Sequence, residues 1–170
     1  MRLLSFLLLL IAASPLNSTA RELLREVVHP KSDLPAFHCL LPEDWRHEID
    51  QVGNLQLTNE RRTAHFSLSF VHSSDPANSL DELARMVLPP ASTPPWDSHE
   101  PVEISGHHGF RYTAKVKHSS GVMVRTEILL VAVDREHIAS CSMLLSERIS
   151  QDDEVTARLV LSAIRLLATP

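Results

Sequence analysis

A chain of 170 residues, 44% of them hydrophobic, can bury about two-thirds of its unfolded surface and needs neither metal nor disulfide to fold. Its formal net charge of −5 argues against nucleic acid or anionic lipid as a partner. Ten histidines are the compositional oddity. Between about pH 7 and pH 5 their protonation would reverse the sign of the net charge.

The chain opens with Met1 and Arg2, a short positive region, followed by an apolar run over residues 3–13. That run is too short to span a ~30 Å hydrocarbon core, which needs ~20 residues. Pro15 and Asn17 break it, and Ser18-Thr19-Ala20 supplies the small residues that a signal peptidase reads. Residues 1–20 are therefore expected to be a cleaved signal peptide, and residues 21–170 a single α+β domain in the periplasm or outside the cell. No later stretch is long and apolar enough to span a membrane.

Residues 21–29 fit a short helix or a frayed leader, stopped by Pro30. Residues 35–41 predict a first strand with Phe37, Cys39 and Leu41 on one face. Residues 42–45 predict a turn that carries Trp45, read as structural. Residues 54–58 and 64–72 alternate apolar and polar side chains, and the second run places Phe66, Leu68 and Phe70 on one face. Ser79-Leu80-Asp81-Glu82 reads as a capping box opening a helix over 80–88, with Leu80, Leu83, Ala84 and Val87 as its apolar stripe.

Residues 89–101 read as a stiff, proline-rich loop holding Trp96. Residues 102–105 predict a strand, and Gly106-His107-His108-Gly109 a turn. Strands follow at 110–117, 122–133 and 138–145. In the first of these Phe110, Tyr112 and Ala114 oppose Arg111, Thr113 and Lys115. Ser150, with acids just behind it, opens a last helix over 151–167. Its many large apolar residues predict that Leu159, Ile164 and Leu167 are buried against the sheet, with the 80–88 helix on the other face or an edge. The order is β-β-β-α-β-β-β-β-α, an α+β fold with an antiparallel sheet.

Three pieces, residues 37–45 (FHCLLPEDW), 79–84 (SLDELA) and 104–112 (ISGHHGFRY), together with this order, resemble the PsbP/DcrB-like α/β/α sandwich family. The resemblance implies an exported or lumenal domain that docks on a protein complex without catalysis. It transfers no catalytic residue.

The chain contains no G-x-S-x-G, P-loop, G-x-G-x-x-G or H-E-x-x-H pattern, and no cofactor is expected. Trp96, a rigid aromatic on a pre-ordered loop, is the candidate binding residue for a protein partner; the alternative is that it folds back over an edge of the core. His107, His108, Asp134 and His137 lie on turns at one end of the sheet and would suit zinc or a similar ion if those turns met. That is the basis of the alternative function, a metal-binding or small hydrolytic domain. Cys39 and Cys141 sit on apolar strand faces. In an oxidising compartment they are expected to form a disulfide, the alternative being two buried thiols.

Overall fold

The computed structural model describes residues 24–31, 33–87, 96–117 and 121–167. In chain order they form β1 (Leu24–His29), β2 (Ala36–Pro42), β3 (Arg46–Ile49), β4 (Leu55–Thr58), β5 (Ala64–His72), α1 (Pro76–Val87), β6 (Ser98–Ile104), β7 (His107–Lys117), β8 (Met123–Ala132), β9 (His137–Ser146), α2 (Gln151–Ala163) and β10 (Arg165–Leu167). The fold is α+β and antiparallel. A seven-stranded sheet runs β3-β4-β5-β9-β8-β7-β6, and a three-stranded sheet runs β1-β2-β10. The expected leader and most of the proline-rich loop lie outside the described residues.

Local chemistry sets the hairpins of the large sheet. Asp50 accepts from the backbone N–H of Val52 and Asn54 and from the side chain of Gln56, closing the β3–β4 turn. Buried Asn59 does the same for β4–β5, accepting from the N–H of Thr63 and Ala64. Ser105 and Gly106 join β6 to β7 with φ of 54° and 84°, the two consecutive positive values of a tight hairpin turn. Gly109 lies within β7, where a Cβ would come to 2.0 Å from the carbonyl oxygen of Leu130.

Each face of the large sheet has its own cover. On one face Phe66, Leu68, Leu129, Cys141 and Met143 meet Phe37, Cys39 and Leu41 of the small sheet and Ala157, Val160 and Leu161 of α2. Trp45 is buried in this core against Phe66, with ring centroids 5.6 Å apart. On the other face Leu80, Leu83 and Ala84 of α1 cover Tyr112, Ala114, Ile128, Leu130 and Ile138.

Five details correct the sequence reading. Residues 24–29 form a strand, because Val27 and Val28 favour extended backbone and β2 offers an edge to pair with. Arg46–Ile49 is a fully exposed edge strand, so it carries no apolar alternation to betray it. Helix α1 begins at Pro76, where proline suits the first helical position. The carbonyl of Asp75 accepts the first helical bond, and Ser79, read as the cap, sits inside and donates back to that carbonyl. Helix α2 stops at Ala163, and Ile164 turns to ψ 131° so that Leu166 can enter the small sheet opposite Phe37. Finally, Leu159 is 63% exposed and Leu167 40%, whereas Ile164 is buried at 3%.

The last correction has an electrostatic cause. Glu154 and Arg158, one turn apart, reach down to Arg125 and Glu127 of β8. That fixes the rotation of α2 and turns Val155 and Leu159 outward. Ile164→Ala should therefore cost about 2–5 kcal/mol, and Leu159→Ala no more than about 0.5 kcal/mol, measured by urea denaturation at neutral pH. Equal losses would place the helix in the wrong rotation.

Candidate functional site

Strand β7 presents different chemistry on its two faces because alternate side chains point in opposite directions. On the α1 side lies an aromatic patch. His99 is directly across from Tyr112 in the β6–β7 register, and their rings stack with centroids 4.9 Å apart. Phe110 lies 4.4 Å from His99, and Trp96 lies 5.0 Å from Tyr112, edge-on. The guanidinium of Arg85, from the last turn of α1, sits 5.6 Å from the Trp96 ring centroid, a cation–π arrangement. Tyr112 is wholly buried, and its hydroxyl donates to Asp81 at 2.7 Å. Burial first, then that hydrogen bond, pushes the phenol far above its ordinary pKa. Trp96 is thus half-buried, with its ring packed against the patch.

On the opposite face β7 and β8 meet α2 through a chain of ion pairs. Glu127 has a side chain only 9% exposed. Its Oε2 accepts from Arg158 at 3.3 Å. Its Oε1 lies 3.1 Å from Nε of Arg111, but the N–H is not aimed at it, so both buried atoms lack a hydrogen-bond partner. Arg125 donates twice to Glu154, at 3.0 and 2.6 Å, and Arg158 adds a further bond at 3.1 Å. The sequence reading placed Arg111 on a polar strand face and left Glu127 unremarked. The available signal was a carboxylate in the middle of an otherwise apolar, β-branched strand.

The four candidate metal ligands are not gathered. His107 and His108 are strand residues and point to opposite faces. His108 is exposed and lies 3.7 Å from Glu103, its cross-strand partner. Asp134 is occupied by its own turn, accepting from the N–H of Glu136 and His137 at 2.8 Å and from the His137 ring at 2.9 Å. Partial burial raises the Asp134 pKa, but these hydrogen bonds outweigh it and hold the carboxyl below its ordinary value. Among the described residues no group of three His, Cys, Asp or Glu side chains is arranged to hold a metal ion.

Cys39 and Cys141 both enter the core between the sheets, and both are free thiols, where the sequence reading expected a disulfide. Burial pushes the Cys39 thiol up to about 12. Burial, then the proximity of Cys39 and Glu127, raises Cys141 as well.

No family model and no curated protein matches the chain. Solved structures do match its backbone. LpqN, described as involved in cell envelope biogenesis of Mycobacterium tuberculosis, is similar with a TM-score of 0.58 at 13% identity, over 92% of this chain and 100% of that one. The cyanobacterial PsbP (CyanoP) of Synechocystis sp. PCC 6803 is similar with a TM-score of 0.55 at 10% identity, over 91% of this chain and 100% of that one. The chain has the PsbP-like fold. A Bacteroides thetaiotaomicron protein is also similar, with a TM-score of 0.51 at 16% identity over 79% of this chain, which spans 45% of that protein's length. Within the PsbP-like fold of this chain, the aromatic patch and the ion-pair chain back onto one another through β7.

Two measurements check this site. The hydrogen bonds from Arg125, reinforced by Arg158, hold Glu154 below its ordinary pKa of 4.5 against the opposing effect of burial. A depressed carboxyl stabilises the fold fully above its unfolded pKa, and the stabilisation is lost as pH falls through the folded pKa. Glu154→Gln should therefore be less stable than wild type at pH 7, with the gap closing below about pH 4.5 in urea melts. A gap that stays constant to pH 3 would contradict the pairing. Separately, neither cysteine should react with a thiol reagent at pH 8 in the native protein, because both are protonated and buried. Unfolding without reductant should release two reactive thiols, and release of none would show the disulfide.

Proposed function

We propose that this chain is an exported, non-enzymatic domain that works by binding a protein partner in the cell envelope or outside the cell. The observation that carries this reading is the aromatic patch formed by Trp96, His99 and Phe110. His99 lies on β6, an edge strand of the large sheet whose residues are mostly exposed, with Trp96 just before it and Phe110 on the neighbouring β7. Phe110 continues the patch into a groove of 480 Å³ between α1 and the β6–β7 hairpin, lined by Ala77, Leu80, Pro101 and Val102. Aromatic side chains on a rigid support, beside an apolar groove, are the usual anchors of a protein interface. Pro101 interrupts the hydrogen-bonding edge of β6, which disfavours simple strand addition. The expected partner therefore offers an apolar side chain to the groove.

Export is supported by the leader-like composition of residues 1–20 and by the involvement of LpqN in cell envelope biogenesis. No helix among the described residues is long and apolar enough to cross a membrane. The test is affinity capture of the full chain, tagged at its C-terminus, from the envelope fraction of its host. N-terminal sequencing of the captured protein should begin at Arg21. Trp96→Ala and Phe110→Ala should lose a partner that wild type and Leu159→Ala retain. Soluble protein starting at Met1 would overturn export, and undiminished capture by both patch variants would overturn the binding surface.

A further inference from the structure

The far side of β7 holds a second concavity, independent of the aromatic patch. A cleft of 410 Å³ opens between β6–β8 and the C-terminal half of α2 with its exit at Ile164 and Arg165. That volume is in the range of small-molecule sites. The apolar part of its lining comes from Val102 and Ile104 of β6, Leu129 of β8, and Leu161 and Ile164. Arg111, Arg158 and Arg165 also line it, with the carboxylate of Glu127 beside the first two. Glu127, Glu100 and Glu154 pair with Arg111 and Arg158, so the guanidinium of the cleft without a carboxylate partner among the described residues is that of Arg165.

The arginines differ in how far the protein satisfies them. Arg158 is committed to Glu127 and Glu154. Arg165 has no carboxylate within 4.0 Å among the described residues. Its Nη1 donates only to the carbonyls of Ser162 and Ile164, at 2.7 and 3.0 Å. Arg111 gives Nη1 to the exposed Glu100 at 3.3 Å, while its Nε lies beside Glu127 without a bond. A guanidinium carries five N–H donors, so both Arg111 and Arg165 retain donors for another acceptor. They reach the cleft from different walls, one from β7 and one from the start of β10.

Their placement is built. Glu127, nine-tenths buried, lies against Arg111 and Arg158 together. The hydroxyl of Ser105 accepts from the N–H of Leu166 at 2.9 Å, tying the Arg165 segment to the β6–β7 turn.

We infer that this cleft binds a small amphiphilic carboxylate, with the carboxylate between Arg111 and Arg165 and a compact aliphatic body on the apolar lining. A planar carboxylate matches the guanidinium fork, its single negative charge matches Arg165, which has no carboxylate partner among the described residues, and the apolar lining disfavours a purely hydrophilic ion.

The test is calorimetric titration of the full chain with octanoate, using octanamide as the neutral counterpart. Octanoate should bind saturably at one site per chain. Octanamide should bind at least about tenfold more weakly, as expected for loss of charge-assisted hydrogen bonds. Arg165→Gln, which breaks no ion pair, should weaken octanoate by a similar factor with an unchanged melting temperature. Arg111→Lys should also weaken it, because it keeps the charge and loses the fork. Trp96→Ala, on the other face of the sheet, should bind octanoate as wild type does. This separates the cleft from the proposed partner surface. Equal binding of octanoate and octanamide, wild-type affinity in Arg165→Gln, or no saturable binding would overturn the assignment.

Discussion

Strand β8 has to be buried on both faces, and the architecture follows from that requirement. Six consecutive residues, 126–131, are buried. Ile128 and Leu130 point to α1, while Leu129 and Val131 point to the other core. An antiparallel sheet with one wet face could not accommodate such a strand. Two covers are therefore needed, and α1 supplies one of them. The other face extends from Leu55 on β4 to Val131 on β8, wider than the ~10 Å breadth of one helix. The small sheet and α2 share it, with Phe37, Cys39 and Leu41 alongside Ala157, Val160 and Leu161.

That shared cover explains the polar chemistry beneath α2. Helix α2 packs beside β2 and β5 and overhangs β8, which it reaches through Glu154 and Arg158. Glu127 can be buried there only because Arg111 and Arg158 accompany it. The same overhang leaves β6 and β7 incompletely covered, and the cleft is the space that remains. Apart from buried Glu127 the members of this ion-pair chain are partly exposed, and ion pairs of that kind contribute modestly to stability. The structural effect of the ion-pair chain is positional, because it selects the rotation of α2.

The two faces of β7 also divide the functional readings. The aromatic side offers apolar area on a rigid edge, suited to a macromolecular partner. The arginine side offers a small concavity with guanidinium donors left over at Arg111 and Arg165, suited to a small anion. Tyr112 and Arg111 are neighbours in sequence yet belong to different sites.

Much of the fold was legible in the sequence. The period-two runs at 35–41, 64–72 and 110–117 fall within strands, Pro35 apart, and carry the expected inward faces. Ser150 caps α2 by accepting from the N–H of Asp153 at 3.1 Å. Apart from the start of α1, the misses share a cause: each depended on a partner distant in the chain. Arg46–Ile49 and Arg165–Leu167 have no periodicity of their own and become strands by pairing with β4 and β2. His107 and His108 looked like one turn until the β6–β7 register made them strand residues with opposed side chains.

Local sequence by itself determined backbone period, the start of α2 and the apolar faces of the long strands, because those depend on side chains a few residues apart. Only the tertiary structure decided which stripe of α2 is buried and which charges meet. The helix carries two apolar stripes, one through Ala157, Val160 and Leu161 and one through Val155 and Leu159. Composition cannot choose between them. The choice falls to Arg125 and Glu127, which lie at least 27 residues from Glu154 and Arg158 in the chain and next to them in space.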